Sequence, residues 1–290
     1  MSAAPLVLKV GGRALEETSA SEELGPAIAA LRARGVDVIV VHGGGAEVSR
    51  WSEQLGHAPR FHGGRRVTDP RTLEVATAVL AGLANKRLVA ALRAHGVDAV
   101  GLSALDGGIA RVEPHADAAL GEVGRVESIE AGLLRDLLAS GRTPVLASIG
   151  ATESRLLNLN ADDLAAAVAP AVSARALVLL SDTPGLVLDG AVVPELDRDA
   201  LEAALASPQV GGGMGPKLAC ARTALDRGVP EVWISAWSGT STLERILARE
   251  TDAAAGTEVL RGTRLTLEGG ASAPVASPTN RIVPEGVSPG

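Results

Sequence analysis

LVLKVGG at residues 6–12 and VDVIVVHGGG at residues 36–45 are the two stretches that decide the fold. Each is a short apolar run of strand-forming residues that passes directly into glycines. Between them, residues 24–33 carry apolar side chains at helical spacing, and a second helical pattern runs from about Ala46 to Leu55. Strand, helix, strand, helix is the order of an α/β chain, a mostly parallel sheet with helices on both faces.

Working outward, a long helical stretch covers about Arg71 to His95. Short alternating segments follow near Ala99–Leu102, Ile109–Glu113 and Gly124–Ser128, which read as strands and hairpins over a ligand pocket. Thr143–Ser148 is a further buried strand, Ala161–Val172 a helix and Ala176–Leu180 a strand. A second pass adds a helix at Arg198–Ala206, a glycine loop at Gly211–Gly215, a helix to about Asp226 and a strand at Glu231–Ile234. The pattern divides the chain into an N-terminal lobe (1–173), a C-terminal lobe (174–268) and a Gly/Pro/Ser-rich tail (269–290).

With 290 residues and 46% hydrophobic content, the chain can bury a sizeable core. Its three Trp, one Phe and absent Tyr leave that core to Ala, Val and Leu, and make base-stacking platforms scarce. A formal charge of -7 without a basic run argues against nucleic acid and anionic membranes as partners. No signal-peptide pattern opens the chain and no apolar run approaches the ~18 residues of a membrane span, so a cytoplasmic location is expected. The single cysteine, Cys220, lies in a helical stretch and reads as a buried structural thiol.

Glycines after a strand let the backbone approach an anion and aim several N–H groups at it. Lys9-Val-Gly11-Gly12 and His42-Gly43-Gly44-Gly45 both do this, and the second runs into a helix N-terminus. Neither is a Walker A loop or a dinucleotide fingerprint. Of the 27 Lys and Arg residues only Lys9, Lys86 and Lys217 are lysines, and Lys9 and Lys217 stand in or beside glycine loops. In an arginine-biased chain they mark places where a compact ammonium fits between phosphate oxygens and a planar guanidinium does not. Lys86 reads as a solvated or interface side chain.

Asn158-Leu-Asn160-Ala-Asp162-Asp163 opens an alanine-rich helix. Capping accounts for one Asn and one Asp; the surplus points to a ligand, with Asp162 the candidate organiser of two lysines. A charge pair at ~4 Å is worth about 4 kcal/mol at an effective dielectric of about 20, before desolvation. Arg65-Arg66 before a Thr-Asp-Pro helix start is either a carboxylate clamp or a surface turn. Ser181-Asp182-Thr183-Pro184-Gly185-Leu186 follows a strand end and, with Gly211-Gly212-Gly213, can wall a nucleotide pocket.

In this order KVGG, VHGGG, RRVTDP, NLNADD, LLSDTPGL and GGGMGPK resemble the amino acid kinase family, in its acetylglutamate-phosphorylating branch, over roughly residues 5 to 260. The resemblance implies a three-layer αβα sandwich around a central mostly parallel sheet. It also implies an enzyme that uses ATP with Mg2+, bound mainly through the ATP phosphates, to phosphorylate the γ-carboxylate of N-acetyl-L-glutamate in arginine biosynthesis. Carried over by position, Gly44, Gly45, Arg66 and Asn158 would bind the acidic substrate. Lys9 and Lys217 would neutralise the transferring phosphoryl group, and Asp162 would position both. Gly11, Gly12, Ser181 to Leu186 and Gly211 to Gly213 would hold the nucleotide, and no protein metal ligand is implied.

The chain departs from the pattern in reading KVGG for KYGG and in placing Gly63-Gly64-Arg65 ahead of Arg66. Only eight residues precede Lys9, so the N-terminal helix of arginine-inhibited hexamers is not expected, and the resemblance implies an arginine-insensitive homodimer. The segment past about Arg261 has no assigned counterpart. Two alternatives stay open: a kinase for an N-acyl or carrier-linked α-aminoadipate in lysine biosynthesis, since one methylene is worth only ~1–3 kcal/mol of discrimination, and a non-catalytic nucleotide or amino-acid sensor.

Overall fold

The computed structural model describes residues 4–11, 18–248 and 262–267; Gly12 and the tail from 269 to 290 lie outside the described residues. At its centre is an eight-stranded sheet made of β1 (Leu6–Val10), β2 (Val38–His42), β3 (Ala99–Ser103), β4 (Thr143–Ala147), β5 (Ala176–Ser181), β6 (Glu195–Leu196), β7 (Val232–Ala236) and β8 (Gly262–Leu265). In space the order is β6-β8-β7-β5-β1-β2-β4-β3. From β7 to β3 all neighbours are parallel; β8 runs antiparallel to β7 and parallel to β6. The sheet thus runs without a break across the boundary drawn at Ser173.

Eight described helices flank it: α1 (Thr18–Ala33), α2 (Gly45–Gln54), α3 (Pro70–Ala94), α4 (Gly132–Ala139), α5 (Ala161–Ala171), α6 (Arg198–Ala206), α7 (Met214–Asp226) and α8 (Thr242–Ala248). Strand alternation sorts the core between them. Leu6, Leu8 and Val10 of β1 pack with Leu24, Ile28 and Leu31 of α1, Leu92 of α3 and Ile246 of α8. Val7 faces the other way, into the cluster with Leu164 of α5 and Leu218 of α7. Lys9, two residues on, therefore emerges on the α5 side. The αβα layering is what two apolar sheet faces require when each must be covered by a helix layer.

β1 is the strand at which the winding changes direction, with β2 on one side and β5 on the other. Loops after the C-terminal ends of such neighbouring strands open a crevice, the usual ligand position in an open α/β sheet. Over this edge lies a small four-stranded sheet of Ala110–Pro114, Val123–Ile129, Leu156–Leu159 and Ile149–Ala151, in that spatial order. Beside it stands a hairpin, Phe61–His62 with Arg65–Arg66. Gly63 and Gly64 at its tip have φ of 55° and 76°, the two left-handed residues that a tight hairpin turn demands.

Two expectations need correction. Ala99–Ser103 is the edge strand of the main sheet rather than part of the cover, because its apolar register pairs with Thr143–Ala147. And α3 is 25 residues long with a mean hydropathy of 1.4, long and apolar enough by composition to cross a bilayer. The sequence reading missed this because Asn85-Lys86-Arg87 interrupts the apolar run; in the fold, Val79, Leu80, Leu88 and Leu92 of this helix are core residues. Seven residues of it, Ala78–Ala84, are wound as a π-helix. The segment beyond Arg261 that lacked a counterpart contributes β8.

Candidate active site

Asn160 caps α5, its side-chain oxygen accepting from the amides of Asp162 (2.8 Å) and Asp163 (3.1 Å). That cap fixes where the first helical turn points its two carboxylates. Asp162 turns toward β1 and α7, where Lys9 Nζ lies 2.9 Å from Oδ1 and Lys217 Nζ 3.4 Å from Oδ2. All three side chains are largely buried, between 10 and 16% exposed. Burial alone would raise the Asp162 carboxyl; the adjacent Lys9 and Lys217 charges outweigh it and hold the group below its ordinary value. One carboxylate thus keeps two ammonium groups together at the end of β1, a compact source of positive charge in a chain of net charge -7.

A cavity of about 230 Å³ opens beside this cluster. Its walls include Lys9, Gly11, Gly43, Gly44 and Gly45 on one side and Arg66, Asn158 and Asp162 on the other. Gly44 has φ of 150°, and a β-carbon there would lie 2.9 Å from Leu80 Cδ2, so the loop passes under α3 only as glycine. Arg66 donates through Nη2 to Gly45 O (2.6 Å) and Ser49 Oγ (2.7 Å), and stacks over Phe61 at 4.9 Å. Its Nη1 is buried without a protein acceptor, and burial lowers the guanidinium pKa. A buried guanidinium with an unused donor edge facing a cavity is fitted to a carboxylate. Asn158 donates to Thr68 Oγ1 (3.1 Å), leaving its side-chain oxygen toward the site.

The remaining candidates stand nearby but outside this cavity. Ser181 ends β5, next to β1, with its hydroxyl 3.2 Å from that of Thr183. Asp182, Pro184 and Gly185 continue the loop, and Leu186 closes it as a core residue whose amide donates to Thr263 Oγ1 (2.8 Å). Gly211, Gly212 and Gly213 lead into α7 and so deliver Lys217. The two loops are tied together by Asp189 and Gln209, which exchange hydrogen bonds of 3.2 and 3.1 Å.

Several site residues escaped the sequence reading. Phe61 and Ser148 line the cavity, and Asn160 does so while capping α5. Phe61 carried a signal, being the only phenylalanine of an aromatic-poor chain and standing just before a glycine turn. Arg65 and Asp163, adjacent to the clamp and the organiser, pair with each other at 2.7 Å. Asp163 also accepts from Cys220 Sγ (3.0 Å) and faces a separate cavity of about 440 Å³ behind α5. Burial and that carboxylate push the Cys220 thiol up, which makes it inert, as expected. Lys86 donates to Asn85 Oδ1 (3.0 Å) and Gly101 O (3.3 Å).

No described group of three or more His, Cys, Asp or Glu side chains could hold a metal ion. Asp162, the carboxylate at the centre, is already occupied by two lysines, so these residues do not themselves form a cage for Mg2+. That donor set suits a metal arriving on phosphate oxygens.

Comparison with known proteins agrees with this geometry. The acetylglutamate kinase of Geobacillus kaustophilus is 37% identical over 252 residues, spanning 83% of this chain and 97% of the relative. That of a Roseiflexus species is 43% identical over 226 residues, 77% of this chain and 85% of the relative. Among solved structures, N-acetylglutamate synthase from Neisseria gonorrhoeae, complexed with coenzyme A and N-acetyl-glutamate, superposes with a TM-score of 0.78 at 25% identity over 92% of this chain and 60% of that one. Carbamate kinase from Giardia, at 14% identity, shares the fold with a TM-score of 0.67 over 92% of this chain and all of that one. A model of the amino acid kinase family matches residues 4–235, and with the sheet, the paired lysines and these relatives in view, the chain belongs to that family.

Proposed function

We propose that the chain is an ATP-dependent acetylglutamate kinase, transferring the γ-phosphoryl group of ATP to the γ-carboxylate of N-acetyl-L-glutamate in arginine biosynthesis. The observation that carries this is the Lys9–Asp162–Lys217 cluster at one end of a cavity whose other side presents Arg66. The acetylglutamate kinases at 37 and 43% identity support the choice of acid. A sensor would have no use for two lysines held by one buried carboxylate beside a carboxylate clamp.

In this reading the N-terminal lobe binds the acyl amino acid, with Arg66 on its α-carboxylate and Gly44, Gly45 and Asn158 around it. The C-terminal lobe binds ATP through Ser181 to Leu186 and Gly211 to Gly213. A γ-carboxylate oxygen attacks the γ-phosphorus; a new O–P bond forms as the bond to the β,γ-bridging oxygen breaks, and ADP leaves with that electron pair. No base is required, because the nucleophile is ionised at neutral pH. Lys9 and Lys217 place positive charge where the equatorial oxygens gather negative charge, and Asp162 keeps both in position before the reaction begins. Mg2+, carried on the ATP phosphates, supplies further charge neutralisation.

We assign the active form as a cytoplasmic homodimer. Only 39% of the most apolar stretch of α3 is buried within one chain, and Leu73, Val75 and Leu83 are half-covered, a surface that a second copy would bury. Light scattering at micromolar concentration tests this, and a monomer would refute it. The activity is tested by trapping acyl phosphate as the hydroxamate with MgATP and either N-acetylglutamate or N-acetyl-α-aminoadipate. A higher kcat/KM for N-acetylglutamate is expected. Preference for the longer acid would reassign the substrate, and no product from either would refute the kinase reading.

A further inference from the structure

His42 is the last residue of β2 and is fully buried, yet it is not part of the apolar core. Its Nδ1 lies 2.9 Å from Gly43 O, the first carbonyl of the glycine loop. A carbonyl can only accept, so Nδ1 carries the proton and Nε2 must be the acceptor. Asn85 meets that demand, its Nδ2 standing 3.0 Å from Nε2 and also within reach of Val145 O (3.0 Å) and Leu102 O (3.2 Å). Asn85 is itself fully buried and comes directly after the π-helical stretch of α3. Burial, opposed by the Gly43 bond and assisted by the charge of Lys86, lowers the imidazole pKa to about 4. The ring is therefore neutral at physiological pH, in a tautomer fixed from both ends.

Gly43 is consequently held at both polar groups, since its amide donates to Val10 O (3.2 Å). The next two residues are not: among the described residues, the amides of Gly44 and Gly45 have no acceptor, and both glycines line the cavity. We propose that His42, backed by Asn85, is a positioning residue that clamps the Gly43 carbonyl away from the cavity and so keeps the Gly44 and Gly45 amides turned toward the bound acyl amino acid. Neither residue touches the substrate. Without the clamp the Gly43–Gly44 peptide, flanked by glycine on both sides, is free to rotate and present its oxygen to an anionic ligand.

The clamp rests on the acyl-amino-acid reading of the cavity. Wild-type turnover on N-acetylglutamate tests that reading alone, before any variant is compared. The clamp is tested by two isosteres run on whichever acid the wild type accepts. In His42→Asn the side-chain amide nitrogen takes the place of Nδ1 and keeps the bond to Gly43 O; in His42→Gln the amide reaches the place of Nε2 and keeps only Asn85. KM for the acid is expected near the wild-type value in His42→Asn and roughly tenfold higher in His42→Gln, the size of one lost hydrogen bond, with KM for ATP unchanged in both. Equal KM values in the two variants, or changes that simply follow their thermal midpoints, would overturn the proposal. Asn85→Ala, which frees the tautomer while leaving Nδ1 intact, provides the decision should either isostere fail to fold: a several-fold rise in KM for the acid is expected, and a wild-type KM in the folded variant would overturn the clamp.

Discussion

Gly11 is what allows Lys9 to reach Asp162: a β-carbon at position 11 would lie 2.6 Å from Lys9 Nζ, closer than any real contact. The atom it meets is the tip of a flexible side chain, so the chain can yield without unfolding. Gly11→Ala should leave the thermal midpoint nearly unchanged. Because the displaced ammonium is the one that faces the transferring group, kcat should fall roughly tenfold or more. Steady-state kinetics beside a melting curve checks both halves, and a fall in stability with intact kcat would contradict the role given to Lys9.

Lys217 touches Asp162 but does not line the cavity that holds Arg66 and Asn158. Lys217→Ala should therefore lower kcat by about 10²–10³, the loss typical of one removed transition-state donor. Binding of the acyl amino acid, measured by calorimetry without nucleotide, should be unchanged.

Asp162 makes stability depend on pH with a definite sign. Its folded-state pKa lies below the ordinary carboxylate value of 3.8, so its contribution is fully present above that value and is lost as pH falls through the folded-state pKa. Between pH ~5 and pH ~3 the wild type should lose more unfolding free energy than Asp162→Asn. At neutral pH the same substitution should be destabilising, because it leaves Lys9 and Lys217 buried side by side without a counter-charge. Denaturant titrations at several pH values would show the two curves converging in acid.

Gly44→Ala combines a φ of 150°, which only glycine adopts readily, with a contact of 2.9 Å to Leu80 Cδ2. The strain should cost about 1–3 kcal/mol. Chemical denaturation is expected to show that loss, and kinetics a higher KM for the acid, since Arg66 is anchored on the carbonyl of the next residue.

The parallel sheet was legible because β1, β2, β4 and β5 are apolar on both faces and need no partner residue to be recognised. The paired lysines were legible for a different reason: in a chain that otherwise uses arginine, a lysine beside glycines is a choice. What stayed hidden were contacts between residues far apart in sequence. Nothing local to Asn85 says that it faces His42, 43 positions earlier, and nothing in Asp162-Asp163 says which carboxylate meets the lysines. The helix cap settles that, because consecutive residues of a first turn point about 100° apart. The reversed strand β8 was missed as well, being four residues long and separated from β7 by a segment with no clear periodicity.

The π-helical stretch in α3 has a consequence for how this helix can change. Each residue of an α-helix advances the chain by about 100°, and a π turn takes in one residue more than an α turn. Residues 78–84 therefore act as a vernier, setting the rotational phase of everything after them. Shortening this stretch by a single residue would preserve its hydropathy, its Asp69 cap and its charge, yet would swing Asn85 away from His42 and carry Leu88 and Leu92 off the sheet together. Substitutions here act one position at a time, whereas a deletion of one codon would put the entire second half of the helix out of register.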